Sequence, residues 1–283
     1  MERFDKYIKN LPIIPDVASR IMAIADDNFD ISFRELEEII MVDPMLTARI
    51  LKVANSALYA RQTEIANLQV AIGLLGFKNI KSLVLLVTAS QFSKKLDTGK
   101  YMEKFWKHSI ATAFIAKHIF HRKKDRVNEE IAFVAGLLHD IGQAALFQSD
   151  PGLYEELMET EDRADETIEM TEQRFFQTDH REIGASLLSR WNFPSVYVDA
   201  AKEHNTLNIN SKHKKLVLAI TLADLLSDYV GYGQREGSRD ELLQNVMVLT
   251  NHTEKDIEYF KLEYKGIFEK DPLFIECQRL FIK

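Results

Sequence analysis

Hydrophobic residues recur at helical spacing along most of the chain. In residues 129–138, EEIAFVAGLL, the apolar positions Ile131, Val134, Ala135 and Leu138 fall on one face of a helix. Glycine and proline, which interrupt helices, number only 11 and 6 among the 283 residues. The pattern therefore predicts an all-α protein without a β-sheet of three or more strands.

Capping residues mark where several helices begin. Asp43 and Pro44 form a helix-opening pair, because the aspartate accepts free backbone amides and the proline lacks one. Asp179 and Glu182 have the three-residue spacing of a capping box, which places His180 in the first turn of its helix.

One polar stretch divides the chain. Residues 93–100, SKKLDTGK, are polar and without periodicity, as in a linker. We predict an amino-terminal helical subdomain over 1–95, a multi-helix bundle over 96–235 and a carboxyl-terminal helical extension over 236–283. Because apolar helices lie on both sides of the linker, we expect extensive apolar packing of the first subdomain on the bundle.

Four ionisable residues fall where the pattern predicts a buried core. His139 and Asp140 directly follow the apolar helix of residues 129–138, and His108 lies on the inner face of a helix. Asp224 lies in the middle of a segment that is apolar on almost every side. Burial of such groups is costly unless they are paired or bind a metal, so we expect the four to share one ion or one hydrogen-bond network.

Both alternatives remain open from the residue types. Imidazole nitrogen and carboxylate oxygen suit a divalent metal such as manganese, iron, zinc, nickel or magnesium, and an incomplete protein shell leaves coordination positions open to water. The competing interpretation is a polar network that joins helices and holds no metal.

Composition narrows the class of protein. The chain is 46% hydrophobic and 28% charged, as in a soluble globular protein, and its one cysteine, Cys277, excludes a disulfide framework or a cysteine-rich zinc site. The first 30 residues lack the order of a signal peptide, and apolar runs such as 216–226 are too short to span a bilayer. We therefore expect a cytoplasmic protein without membrane insertion.

Nucleic-acid binding is not expected. The formal net charge is −7, which opposes attraction to DNA by the overall field. Lys78 and Lys81 lie in a segment that could mimic a helix-turn-helix reader, but its last helix is too apolar to lie in a groove.

The ordered set His108, His139-Asp140 and Asp224 resembles the metal-binding signature of the all-helical HD superfamily of phosphohydrolases. Upstream segments, including LPIIPDVASRIMAIADD and VDPMLTARILKVANSALYA, resemble the HDOD family, and DHREIGASLLSRWNFP continues the match, which covers roughly residues 4–230. The resemblance implies an HD-type bundle and a bacterial signal-transduction module related to the HD-GYP cyclic-dinucleotide phosphodiesterases. Signalling proteins are the implied partners, and a nucleotide or cyclic dinucleotide is an implied ligand.

The sequence also departs from the catalytic relatives. Gln143 stands where active HD-GYP proteins commonly have a lysine, and a neutral amide stabilises developing phosphoryl charge less well. The GYP-containing stretch has no counterpart. His180 and His204 fall where those proteins carry further histidine ligands, so the resemblance implies a second metal site. From helical position alone, we favour a solvent-facing His180 and a His204 that interacts with a helix dipole. The other four histidines are expected at the surface.

We therefore expect a regulatory protein that acts through protein or ligand contacts, with a degenerate HD metal site. The alternative is a metal-dependent phosphodiesterase or phosphohydrolase with His139 and Asp140 as candidate catalytic residues. In an enzyme, Lys107 or Arg181 would have to compensate for the missing lysine. In an adaptor, the irregular connection that contains Tyr59 and Arg61 is the expected binding surface.

Overall fold

The computed structural model describes residues 5–8, 16–24, 33–55, 65–77, 80–81, 83–84, 100–161, 167–233 and 239–281. Within these ranges the regular structure is helical and contains no strand. The predicted all-α fold is confirmed.

Short helices make up the described amino-terminal part. They are α1 (Asp5–Ile8), α2 (Asp16–Ala23), α3 (Phe33–Met41), α4 (Pro44–Ala54) and α5 (Leu68–Leu75). The predicted start of α4 is correct, since the Asp43 side chain accepts a hydrogen bond from the Leu46 amide at 3.1 Å. The Asn67 side chain caps α5 in the same way, by accepting from the Val70 amide.

A bundle of longer helices follows. It comprises α6 (Lys100–Arg122), α7 (Arg126–Leu138), α8 (Ile141–Ser149), α9 (Pro151–Glu161), α10 (Ile168–Phe176), α11 (His180–Arg190), α12 (Ser195–Glu203) and α13 (Lys214–Tyr229). Helix α6 packs against α7 and α13, while α11 packs against α8 and α12. These two sets of contacts bring the ends of α7, α8, α11 and α12 together beside the middle of α13.

The carboxyl-terminal part is also helical. It comprises α14 (Asp240–Thr250), α15 (Glu254–Tyr259), a π-helical turn (Phe260–Tyr264), α16 (Lys265–Phe268) and α17 (Pro272–Phe281). Helix α14 packs on α13, and α17 packs on α6. The extension therefore covers the two helices that carry His108 and Asp224.

One continuous hydrophobic core includes residues from the amino-terminal part, the bundle and the extension. Helix α1 packs on α8 and α11, and the Tyr7 hydroxyl donates to the carbonyl of Phe176. The predicted linker lies outside the described residues except for Lys100, which begins α6. The three subdomain boundaries stay predictions.

One stretch, Asn128–Ser149, is long and apolar enough to cross a membrane by length and mean hydropathy. It comprises most of α7 and all of α8, and 89% of its most apolar window is buried inside the protein. This is the burial of core helices.

Gly142 allows helices α8 and α11 to approach each other at their first turns. A Cβ added to Gly142 would lie 2.7 Å from the backbone nitrogen of Gly184 and would collide with the carbonyl oxygen of His180. The absence of a side chain at Gly142 therefore places His180 beside Asp140, the residue that precedes α8.

Replacing Gly142 with alanine should destabilise the fold by about 1–3 kcal/mol or more, because the added methyl group must displace the backbone of α11. Urea denaturation would measure the change. Gly73→Ala is the matched control, since a Cβ there meets no atom within 4 Å and the exchange should stabilise α5 by about 0.5–1 kcal/mol. A Gly142→Ala variant as stable as the parent protein would contradict this close approach.

Candidate metal centre

Six candidate ligands converge at the centre of the bundle. His108 lies on α6, His139 and Asp140 form the junction of α7 and α8, and Asp224 lies on α13. His180 begins α11 and His204 follows α12. Each of the six is at most 2% exposed.

The first ligand group comprises His108 Nε2, His139 Nε2, Asp224 Oδ1 and Asp140 Oδ2. His108 Nε2 lies 3.4 Å from His139 Nε2, 3.1 Å from Asp224 Oδ1 and 3.7 Å from Asp140 Oδ2. His139 Nε2 lies 3.4 Å from Asp140 Oδ2 and 3.9 Å from Asp224 Oδ1. The four predicted residues thus share one cluster, as the sequence pattern required.

The second ligand group comprises Asp140 Oδ1, His180 Nε2 and His204 Nε2. Asp140 Oδ1 lies 3.4 Å from His180 Nε2 and 3.0 Å from His204 Nε2, and the two nitrogens are 3.3 Å apart. The expectation that His180 faces solvent is wrong, because Gly142 lets its helix approach α8. The expectation that His204 interacts with the end of its helix describes only its Nδ1, which contacts the carbonyls of Ala200 and Ala201, because its Nε2 points to Asp140.

In each of the four histidines of the site, the other ring nitrogen, Nδ1, faces a hydrogen-bond acceptor. His139 Nδ1 donates to the Gly136 carbonyl at 2.7 Å, and His180 Nδ1 donates to the Glu172 carboxylate at 2.6 Å. The remaining acceptors are the carbonyl of Ala201 for His204, and the carbonyl of Tyr232 and the hydroxyl of Ser227 for His108. With a proton on each Nδ1, every neutral ring directs the Nε2 lone pair inward, which is the orientation of metal-ligating histidines.

The spacing of these inward atoms fits divalent metal coordination. Ligand bonds of about 2.1 Å separate neighbouring donor atoms by about 3.4 Å in a tetrahedral site and about 3.0 Å in an octahedral site. The interatomic distances above, 3.1–3.9 Å in the first group and 3.0–3.4 Å in the second, lie around these values. Asp140 offers one oxygen to each group and would bridge two ions.

Protons can satisfy the same contacts when no metal is bound. Burial lowers the pKa of His180, but the Glu172 carboxylate outweighs it and raises that pKa to about 9. Burial also opposes protonation of His108, where the hydrogen bond to Asp224 produces a net raised pKa. Burial lowers the pKa of His139 to about 4, so His139 is neutral and its Nε2 is an acceptor. Metal binding would therefore displace a proton from His180.

The carboxyl groups remain ionised. Burial alone would raise the pKa of Asp140, but the neighbouring imidazoles hold it well below its ordinary value. Burial acts in the same direction on Asp224, where the Arg239 guanidinium and His108 hold the pKa well below its ordinary value. Two buried carboxylates thus face the inward nitrogens, a charge arrangement that favours a cation.

Sequence reasoning missed several residues around the ligands. Arg239 binds both oxygens of Asp224, with the shorter contact at 2.8 Å, and Glu172 orients His180. Glu172 lies in α10, shortly after an acidic stretch of the sequence, and Arg239 follows a Gly-Ser pair typical of a turn. Neither local pattern indicates that the residue lies beside the ligands. Glu172 and His180 are eight residues apart and lie on two successive helices, so helical spacing cannot predict their contact.

The proposed compensating cations are paired with other carboxylates. Lys107 pairs with Glu103 at 2.5 Å on the exposed side of α6, and Arg181 pairs with Asp179 at 3.1 Å. Gln143 itself is fully buried, where its amide donates to Asp140 Oδ2 at 2.8 Å and its oxygen accepts from Tyr101 at 2.9 Å.

The surface expectation for His118 needs correction, and the burial of Lys81 agrees with the expectation that the chain does not bind DNA. His118 is only partly exposed, and its ring stacks on Tyr264 with centroids 3.9 Å apart. Lys81 is 5% exposed and its ammonium group donates to the carbonyl of Ile24, so it is not available to read DNA. Lys78 lies outside the described residues.

Solved structures share this fold. An HDOD domain protein of unknown function from Geobacter sulfurreducens has a TM-score of 0.76 and 24% identity, with 100% of this chain and 97% of that chain covered. A candidate phosphohydrolase from Shewanella amazonensis SB2B has a TM-score of 0.72 and 21% identity, with 99% and 98% covered. A candidate signal transduction protein from Marinobacter aquaeolei VT8 has a TM-score of 0.74 and 18% identity, with 100% and 65% covered. At these identities the likeness shows the fold.

The comparison of sequences identifies the family. A curated protein of uncharacterised function from Treponema pallidum (strain Nichols) is 22% identical over 215 residues, which are 75% of this chain. The matched region is 42% of that relative's length, so the chain spans less than half of it. The family model of the HDOD domain matches residues 11–207, well over half of the sequence. The chain belongs to the HDOD domain family.

Proposed function

We propose that this HDOD protein is a regulatory module that binds divalent metal at the two ligand groups and passes a signal through protein or ligand contacts. The observation that carries the metal proposal is the convergence of four inward Nε2 atoms on the two oxygens of Asp140. The hydrogen bonds of the four Nδ1 atoms leave each Nε2 directed inward, the direction in which a metal ligand must point. On this proposal the site is degenerate for catalysis and retains metal binding.

The burial of the ligands supports regulation over turnover. All six ligand side chains are at most 2% exposed, so a phosphoester has no access to them in this conformation. Gln143 cannot supply the charge of a lysine, and its two polar atoms are already bound to Tyr101 and Asp140. Catalysis would need an open cleft with a cation aimed at the phosphoryl group.

The family suggests the location, the partners and the ligand of the protein. We propose a bacterial cytoplasmic protein whose partners are signalling proteins and whose ligand, if it has one, is a nucleotide or cyclic dinucleotide. The structural relative from Marinobacter aquaeolei, a candidate signal transduction protein, supports this setting. The proposed contact residues Tyr59 and Arg61 lie outside the described residues.

A metal-dependent phosphohydrolase is the second candidate, favoured by the complete set of six ligands. A bound metal would supply activation of water and of a phosphoryl oxygen. In that case Asp140 would contribute one oxygen to each ligand group, and Glu172 would keep the His180 ring oriented. Opening of the site to substrate would have to precede any reaction.

Metal binding should be measurable on protein purified without chelators. We expect up to two divalent ions per chain by elemental analysis, and Asp140→Asn should remove both because Asp140 belongs to both ligand groups. Ligand at about a hundred times its dissociation constant stabilises by roughly 2.7 kcal/mol, so Mn²⁺ or Zn²⁺ should raise the melting temperature by several degrees.

Glu103→Gln is the control for that experiment, because it removes a carboxylate from the exposed side of α6 and should leave metal content unchanged. Melting in the presence of EDTA would report whether Asp140→Asn still folds. Parent protein that contains no metal and shows no thermal shift with manganese, iron, zinc, nickel or magnesium would contradict the metal proposal.

Turnover separates the two candidates. We expect metal-loaded protein to leave cyclic dinucleotides and bis(p-nitrophenyl) phosphate intact, because the ligands are buried and Gln143 is neutral. Product formation would be followed by chromatography and absorbance. Hydrolysis that persists through repurification and disappears in Asp140→Asn would favour the phosphohydrolase over the regulatory module.

A further inference from the structure

The carboxyl-terminal segment, residues 239–281, contacts one of the two ligand groups through Arg239. This guanidinium bridges two carboxylates of α13: its NH1 lies 2.8 Å from Asp224 Oδ2 and its NH2 lies 2.6 Å from Asp228 Oδ2. NH1 also contacts the Asn205 side chain at 3.4 Å. Arg239 makes its shorter contact with Asp224 Oδ2, and its NH2 also lies 3.3 Å from Oδ1, the oxygen that faces His108 at 3.1 Å.

A second tie reaches His108 through Tyr232. The carbonyl oxygen of Tyr232 accepts from His108 Nδ1 at 3.1 Å and so helps to orient the ring. The side chain of Tyr232 is held by the carboxyl-terminal segment, because its hydroxyl donates to Glu269 at 2.7 Å and its ring packs on Phe268 and Phe274. Gly231, with φ of 83°, makes the turn that brings this carbonyl to α6.

The second ligand group is held by other parts of the bundle. Glu172 orients His180 and itself accepts from the Tyr154 hydroxyl at 2.8 Å, and the Ala201 carbonyl orients His204. These residues belong to α9, α10 and α12, all before residue 205. Apart from the shared Asp140 and the 3.4 Å contact of Arg239 with Asn205, the residue after His204, the two groups therefore depend on different segments of the chain.

We propose that the carboxyl-terminal segment is a regulatory element that sets the metal affinity of the first ligand group and leaves that of the second nearly unchanged. The proposal rests on the metal binding proposed above. Arg239 acts as a positioning residue: it fixes the Asp224 carboxylate with one oxygen toward the metal position. A partner that pulled the segment away would release Asp224 and the Tyr232 ring together.

The coupling is reciprocal. If docking of the segment strengthens metal binding at the first group, metal binding there must stabilise the docked segment by the same free energy. Occupancy of a buried site is thereby converted into a change at the surface, where helices α14 to α17 lie. Such a change is available to a partner that never reaches the ligands.

Zinc titration of Arg239→Gln tests the proposal. In competition with a chromophoric chelator, we expect the parent protein to bind two Zn²⁺ and Arg239→Gln to bind one of them about 10–100-fold more weakly, the usual effect of losing a group that orients a ligand. Arg239→Lys, which keeps the charge but cannot bridge two carboxylates in a fork, should fall between them. Arg34→Gln is the matched control, because Arg34 pairs with Glu38 on the exposed surface of α3, does not join the segment to the bundle, and should leave both affinities unchanged.

Hydrogen exchange supplies a second readout, which can be measured on the parent protein and then compared with the variant. Zn²⁺ should slow amide exchange in helices α14 to α17 of the parent protein, and this protection should be much smaller in Arg239→Gln. Parent protein that binds no zinc would overturn the metal proposal and this inference with it. Two zinc ions bound with affinities unaltered in Arg239→Gln, equal weakening of both ions, or exchange in the segment that ignores zinc would overturn the inference alone.

Discussion

The carboxylate of Asp140 is the group on which the rest of the structure depends. It is ionised in the centre of the bundle, where an uncompensated charge would be costly. Imidazoles lie on both sides of it, with His139 and His108 near Oδ2 and His180 and His204 near Oδ1, and the Gln143 amide donates to Oδ2. Because these histidines belong to α6, α7, α11 and α12, one side chain fixes the relative positions of the helices that form the bundle.

Convergence on one carboxylate also requires backbone to approach backbone. The helix that begins at Ile141 can reach the helix that begins at His180 only because Gly142 has no side chain between them. Each imidazole then needs a hydrogen-bond acceptor for its Nδ1. For His139 and His204, the carbonyls of Gly136 and Ala201 supply it, at helix ends where such oxygens have no partner within the helix. The polar centre therefore depends on the helix ends. The last turns of α7 and α12 supply backbone carbonyl oxygens that would accept from backbone amides if the helices continued.

The sequence predicts the part of this arrangement that depends on local periodicity. His108 and Asp224 lie on helix faces whose neighbours are apolar, so their burial follows from the spacing alone. His180 and His204 lie at helix ends, where spacing does not tell whether another helix or water faces the ring, and position alone favoured solvent. Arg239 was not foreseen for a related reason: its partner Asp224 is 15 residues earlier on another helix, and only the packing of α14 on α13 joins them.

The shielding of the ligands would give the proposed metal centre a different role from that of an open catalytic site. An ion that exchanges only when helices separate reports the conformation of the bundle, because its release requires the contacts around it to loosen. The neutral Gln143 fits this role, since it is satisfied by Tyr101 and Asp140 and leaves no charge waiting for a phosphoryl group. In the same bundle Arg239 and Tyr232 connect the first ligand group to helices at the surface, whereas the second group is held from inside. In the proposed regulatory module, one fold would hold an ion at the second group beside an ion at the first group whose occupancy follows the docking of the carboxyl-terminal segment.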